Sequence, residues 1–148
     1  MNPHEGKIDD VSDSGSTRLL AAGMILFLLG LFAGFAVPAF HNPRLGLSAH
    51  LEGVLNGTFL LVVGLAWHRV ALGPGAKTAA FWLLLWGAFI NFAACVAGAI
   101  TGASRMTPIA GEGFSALPWQ EALVGGMFAT VGISMVIAVA LLCKGLLR

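Results

Sequence analysis

Four apolar runs, residues 19–40, 47–67, 78–102 and 119–143, are each about as long as a helix that crosses ~30 Å of hydrocarbon at ~1.5 Å per residue. A backbone that enters lipid must satisfy its own polar groups, so each run is expected as a transmembrane helix. Breakers separate the runs: Pro38 near the first exit, Asn42-Pro43, Gly73-Pro74-Gly75, and Pro108 with Pro118. Composition agrees, because 57% hydrophobic against 10% charged residues and a mean hydropathy of +0.87 exclude an ordinary soluble domain. The expected fold is all-α, an integral-membrane four-helix bundle over residues 18–148 behind a polar tail, 1–17. A net charge of +1 with no basic block excludes a nucleic-acid surface.

The tail holds four of the seven acids, with Gly and Ser between them, and is expected to be disordered. It is acidic where a signal peptide is basic, and the run behind it is long enough to span, so the first helix is expected to stay in the membrane. Cys95 and Cys143 both fall inside apolar runs, which leaves no disulfide framework and no zinc or c-type haem spacing. Lys7, Arg18, Arg69, Lys77, Lys144 and Arg148 flank one side of the membrane, and Arg44 and Arg105 the other. The positive-inside rule places both termini in the cytoplasm, in a bacterial-type inner membrane. His50, the loop 105–118 and Glu121 then gather on the outer half.

Polar chemistry concentrates where helix 2 begins, in Asn42-Pro-Arg-Leu-Gly-Leu-Ser-Ala-His-Leu-Glu-Gly-Val-Leu-Asn-Gly57. Ionisable and amide groups inside a span are costly and usually mark a site. At ~100° per residue, His50, Gly57, Leu61 and Gly64 share one stripe with Gly53 beside it, a face of low relief on which a flat ligand could lie. Glu52 and Asn56, four apart, support each other on another face, roughly 120° or more away. Both faces cannot address one small pocket inside a monomer. Either His50 serves an interface with a neighbouring subunit or the helix start departs from ideal geometry. His50 also has a plainer reading, as an interfacial residue with no ligand.

Helix 3 carries Gly87, Asn91, Cys95, Gly98 and Gly102 near one stripe, where small residues allow close approach and a lone amide bonds across. Asn91 is therefore first a packing amide and second a candidate for chemistry. Helix 4 opens with Trp119-Gln120-Glu121; the tryptophan is an interface anchor and the glutamate can face the bundle. Arg44 is either an anchor at phosphate level or a charge partner for Glu52. Without any further likeness, three classes stand open: an enzyme, a transporter or channel using Glu52, Asn56 and Asn91 as a polar path, and a structural subunit that uses only its glycine faces.

The run 42–57, with Met106-Thr-Pro-Ile-Ala-Gly and Trp119-Gln-Glu-Ala-Leu-Val, resembles the hydroxylaminobenzene mutases over all four helices. That resemblance implies an isomerase that moves a hydroxyl from nitrogen to the ring, turning an aryl hydroxylamine into an ortho-aminophenol, a step of nitroaromatic degradation. A more local likeness covers Ala49-His-x-x-x-x-Leu-Asn-Gly57, which is similar to the segment of styrene oxide isomerases that carries a haem-ligating histidine and an active-site asparagine. It implies a homotrimer around ferric haem b, with His50 as the axial ligand and Asn56 in the active site; Gly53 and Gly57, on or beside the His50 stripe, are then the candidates for the cofactor face. Glu52 and Asn91 join Asn56 as catalytic candidates. Cys95 stands about where those enzymes place a tyrosine, and this chain has no tyrosine, so an epoxide-isomerase activity is the alternative rather than the first reading. On this view a metal acts as a Lewis acid on the N–OH oxygen, an asparagine or glutamate holds the substrate nitrogen or moves a proton, and an apolar pocket takes the aryl ring.

Overall fold

The structure, a computed structural model, describes residues 5–148, with side chains from Ser14 onward. It holds four long helices and no strand among the described residues: α1 Glu5–Ala36, α2 Pro43–Ala66, α3 Pro74–Thr101 and α4 Pro118–Leu146. Single 3-10 turns, Val37–Ala39 and Trp67–Arg69, close the first two. The stretches Ser14–Ala39, Pro43–Arg69, Pro74–Thr101 and Pro118–Leu146 are long and apolar enough to cross a membrane. The chain is thus the expected all-α integral-membrane bundle.

Its boundaries differ from the apolar runs in one systematic way. Helices α2, α3 and α4 begin at Pro43, Pro74 and Pro118, one to four residues ahead of the runs. Proline has no N–H to lose in the first turn and its φ already suits a helix, so a residue that reads as a breaker is here a first helical residue. Gly102, at φ 79°, ends α3 in the left-handed conformation that only glycine adopts without strain.

Much of the expected tail lies outside the residues with described side chains, but Ser14–Thr17 are helical rather than disordered. They run along the end of α2, where the Ser16 hydroxyl donates to the Gly64 carbonyl at 2.8 Å. A methyl on Gly15 would lie 2.6 Å from the Trp67 indole nitrogen, so the tail's small residues let α1 continue over that ring.

Helix α1 packs on α2, α2 on α3, and α3 on α4, with only light contact between α1 and α3. The α1–α2 seam is backbone on backbone. A methyl on Gly57 would lie 2.6 Å from the Phe27 nitrogen, one on Gly23 would lie 2.8 Å from the Gly57 carbonyl, and Gly30 fits against Gly53. Small residues at such a crossing let helices approach without a hydrophobic driving force from the lipid. Leu19, Leu26, Leu60, Trp67, Leu84 and Leu142 fill the core at one end, and a small cluster of Ala33, Ala49 and Cys95 lies towards the other.

Candidate active site

Helix α2 runs unbroken from Pro43 to Ala66, so it presents its polar residues to two different neighbours. One face meets α3. There Asn91 donates its amide N–H to Glu52 Oε2 at 2.6 Å, and Asn56 donates to the same oxygen at 3.0 Å. The Asn56 to Glu52 bond follows from their separation by one helical turn. Asn91 arrives from α3, so three residues named from sequence converge on one carboxyl oxygen. Two hydrogen bonds onto one carboxyl oxygen, from α2 and from α3, fix its orientation. No partner is seen for Glu52 Oε1 or for either amide oxygen, and no side-chain nitrogen or oxygen among the described residues is buried without a partner. These three acceptors therefore open onto accessible space.

The cluster has an apolar floor. Cys95, one turn from Asn91, is 4% exposed against Ala33 of α1 and Ala49 of α2, with Phe92, Val96 and Phe128 around them. Sequence alone reads Cys95 as packing, and it packs at the junction of α1, α2 and α3, bordering the polar cluster.

The other face of α2 meets α1, and His50 lies on it. Its Nδ1 donates to the Gly30 carbonyl at 2.9 Å. A carbonyl oxygen can only accept, so the proton sits on Nδ1 and the lone pair on Nε2. That is the arrangement in which an imidazole binds a metal, its second nitrogen steered by a backbone carbonyl. Gly34 of α1 lies flat on the ring, where a methyl would come within 2.7 Å of Nδ1. A single imidazole with its Nδ1 tied to a carbonyl is a donor suited to a metal already held by a porphyrin. The donor set fits haem.

Gly53 and Gly57, expected on a cofactor face, lie in the α1–α2 seam. Both face α1, whose Gly30, Gly23 and Phe27 already occupy the space above them, so no flat ligand lies along that stripe within the protomer. His50 and the Glu52 cluster are correspondingly not brought together, as expected for a regular helix.

Several polar residues serve the loop between α3 and α4 instead. Arg44 does not pair with Glu52; its guanidinium donates to the Glu112 carbonyl and lies over the Phe114 ring, 5.7 Å from its centroid. Glu121, 8% exposed, accepts from the Ser104 and Arg105 backbone N–H groups, each at 3.0 Å. Asn42, fully buried, is the residue the sequence reading passed over. Its Oδ1 caps α2 by accepting from the Arg44 and Leu45 nitrogens, and its Nδ2 donates to the Ala110 carbonyl. The Asn-Pro pair at a helix start was the available signal.

The sequence model of the styrene oxide isomerase family matches residues 15–147. Two curated relatives come from Ectopseudomonas oleovorans. Hydroxylaminobenzene mutase HabB is 46% identical over 130 residues, covering 87% of this chain and 79% of HabB. Hydroxylaminobenzene mutase HabA is 37% identical over 133 residues, covering 89% of this chain and 98% of HabA. No solved structure matches significantly.

Proposed function

The chain belongs to the styrene oxide isomerase family and is an isomerase of the membrane, and from that premise we propose that it acts as a hydroxylaminobenzene mutase, converting aryl hydroxylamines to ortho-aminophenols. The observation that carries this reading is the convergence of Glu52, Asn56 and Asn91 on one oxygen, beside an apolar floor, in a chain with two mutases as relatives. We place it in a bacterial-type inner membrane with both termini in the cytoplasm, on the charge of its flanks.

The aryl ring belongs against Ala33, Ala49, Phe92, Cys95 and Phe128, which exclude water from the reacting nitrogen. Asn56 and Asn91, locked by Glu52, hold their free oxygens towards the hydroxylamine and orient its N–O bond relative to the ring. His50 would hold ferric haem b through Nε2, with Gly30 fixing the tautomer and Gly34 leaving room for the imidazole. When bound, the haem supplies a Lewis acid that weakens the N–O bond with no net electron transfer.

Because α2 is regular, His50 faces α1 while Glu52 faces α3, so the two do not address one pocket inside a protomer. This supports a homo-oligomer with shared sites, a trimer by the family resemblance. A transporter path is poorly supported, because Cys95 and the alanines beside the polar cluster are apolar and buried. An epoxide isomerase is the second reading, on the family name alone.

The test is direct. Membranes expressing this chain alone should turn phenylhydroxylamine into 2-aminophenol, and the purified protein should show a Soret band that His50→Ala abolishes together with turnover. No aminophenol above control membranes would remove the mutase assignment. Equal haem content in His50→Ala would remove the ligand assignment.

A further inference from the structure

The hydrogen-bonding capacity left over in the cluster says which hydroxylamines fit it. Asn56 and Asn91 each turn an N–H towards Glu52 Oε2. What remains is Glu52 Oε1 and two amide oxygens, against one unspent N–H on each amide, so acceptors outnumber donors. A ligand entering such a site is held well only if it brings donors, since an acceptor desolvated and left unpaired costs more than a made bond contributes. An epoxide brings none. An aryl hydroxylamine unsubstituted at nitrogen brings two, O–H and N–H.

We propose that Glu52 is a specificity-determining residue whose free oxygen, Oε1, accepts the substrate N–H, so that the enzyme selects N-unsubstituted aryl hydroxylamines and rejects N-alkylated ones. The inference rests on the mutase reading and deepens it. Other described carboxyl groups do not compete for the role: Glu121 is bonded to the backbone of the loop between α3 and α4, and Glu112 is exposed there. The two amide bonds on Oε2 give the carboxyl group a fixed direction, which makes it a selective acceptor rather than a mobile one.

The experiment compares kcat/KM of the purified full-length protein for three substrates: phenylhydroxylamine, N-methyl-N-phenylhydroxylamine, and 4-methylphenylhydroxylamine. The last adds a methyl of the same size but keeps the N–H. Wild type is expected to lose on the order of 10²-fold or more with the N-methyl substrate and about 10-fold or less with the ring-methyl one. Glu52→Gln retains an oxygen for the two amides and turns an NH2 towards the ligand. It is expected to lower kcat/KM for phenylhydroxylamine on the order of 10²-fold while barely changing that for the N-methyl substrate, so the discrimination collapses. If Glu52→Gln does not fold, the wild-type series decides alone. Equal losses for the two methylated substrates overturn the proposal, as does a Glu52→Gln enzyme that still discriminates like wild type. Wild type inactive on phenylhydroxylamine would instead overturn the mutase reading beneath it.

Discussion

Shared sites make a quantitative prediction about mixed oligomers. His50→Ala removes the ligand from the α1-facing side of α2, and Asn56→Ala removes an amide from the α3-facing side. The first is expected to be inactive, and the second to retain on the order of 1%, the usual consequence of deleting one positioned polar group in a dry site. Along a regular helix the two side chains are separated by six residues, roughly 9 Å of rise and about 120° of rotation. A single copy therefore does not aim them at one substrate. If each site takes His50 from one copy and Asn56 from the next, a random equal mixture assembles a site with both intact at about one interface in four. Co-expression should then restore about a quarter of wild-type activity, some 25-fold above the better parent. Two different affinity tags, purified in sequence, isolate the mixed oligomers; a mixed trimer has one such interface in three, so about a third of wild-type activity is expected when aminophenol formation is read on that fraction. Mixed oligomers no more active than the average of the two parents would refute the shared site. Failure of the two tags to co-purify would refute the oligomer itself.

Gly34→Ala should push the His50 ring off the Gly30 carbonyl, since the new methyl would start 2.7 Å from Nδ1, and haem affinity should fall about 10- to 100-fold. Gly57→Ala, which strains the same seam away from His50, should lower the melting temperature at a cost of about 1–3 kcal/mol with a smaller change in haem affinity. Spectroscopic haem titration separates the two, and equal affinities would show that the Gly30 to His50 bond does not steer the ligand. Single cysteines at Gly73, ahead of α3, or at Gly75, in its first turn, should resist an impermeant external reagent, while one at Glu112 should react. The opposite pattern would invert the topology.

What could be read from sequence was local in range. Pro43, Pro74 and Pro118 mark the helix starts, and the Glu52 to Asn56 pair follows from a separation of one turn. Asn91 joining that pair depends on the register of α3 against α2, across 39 residues of sequence, which no local pattern contains. The stripe of Gly53, Gly57 and Gly64 was misleading for a physical reason: a glycine face has the same signature whether a flat cofactor or another helix covers it. The discriminating signal lay in helix 1, where Gly23, Gly30 and Gly34 recur at spacings of seven and four and meet Gly57, Gly53 and His50 in reverse order. Glycine within a helix costs roughly 0.5–1 kcal/mol relative to alanine, so three on one face need a partner that demands close approach. Two of them face glycine backbone, and the third faces an imidazole. The seam thus joins α1 to α2 backbone on backbone. It fixes the histidine ring at one end, with Nδ1 tied to the Gly30 carbonyl.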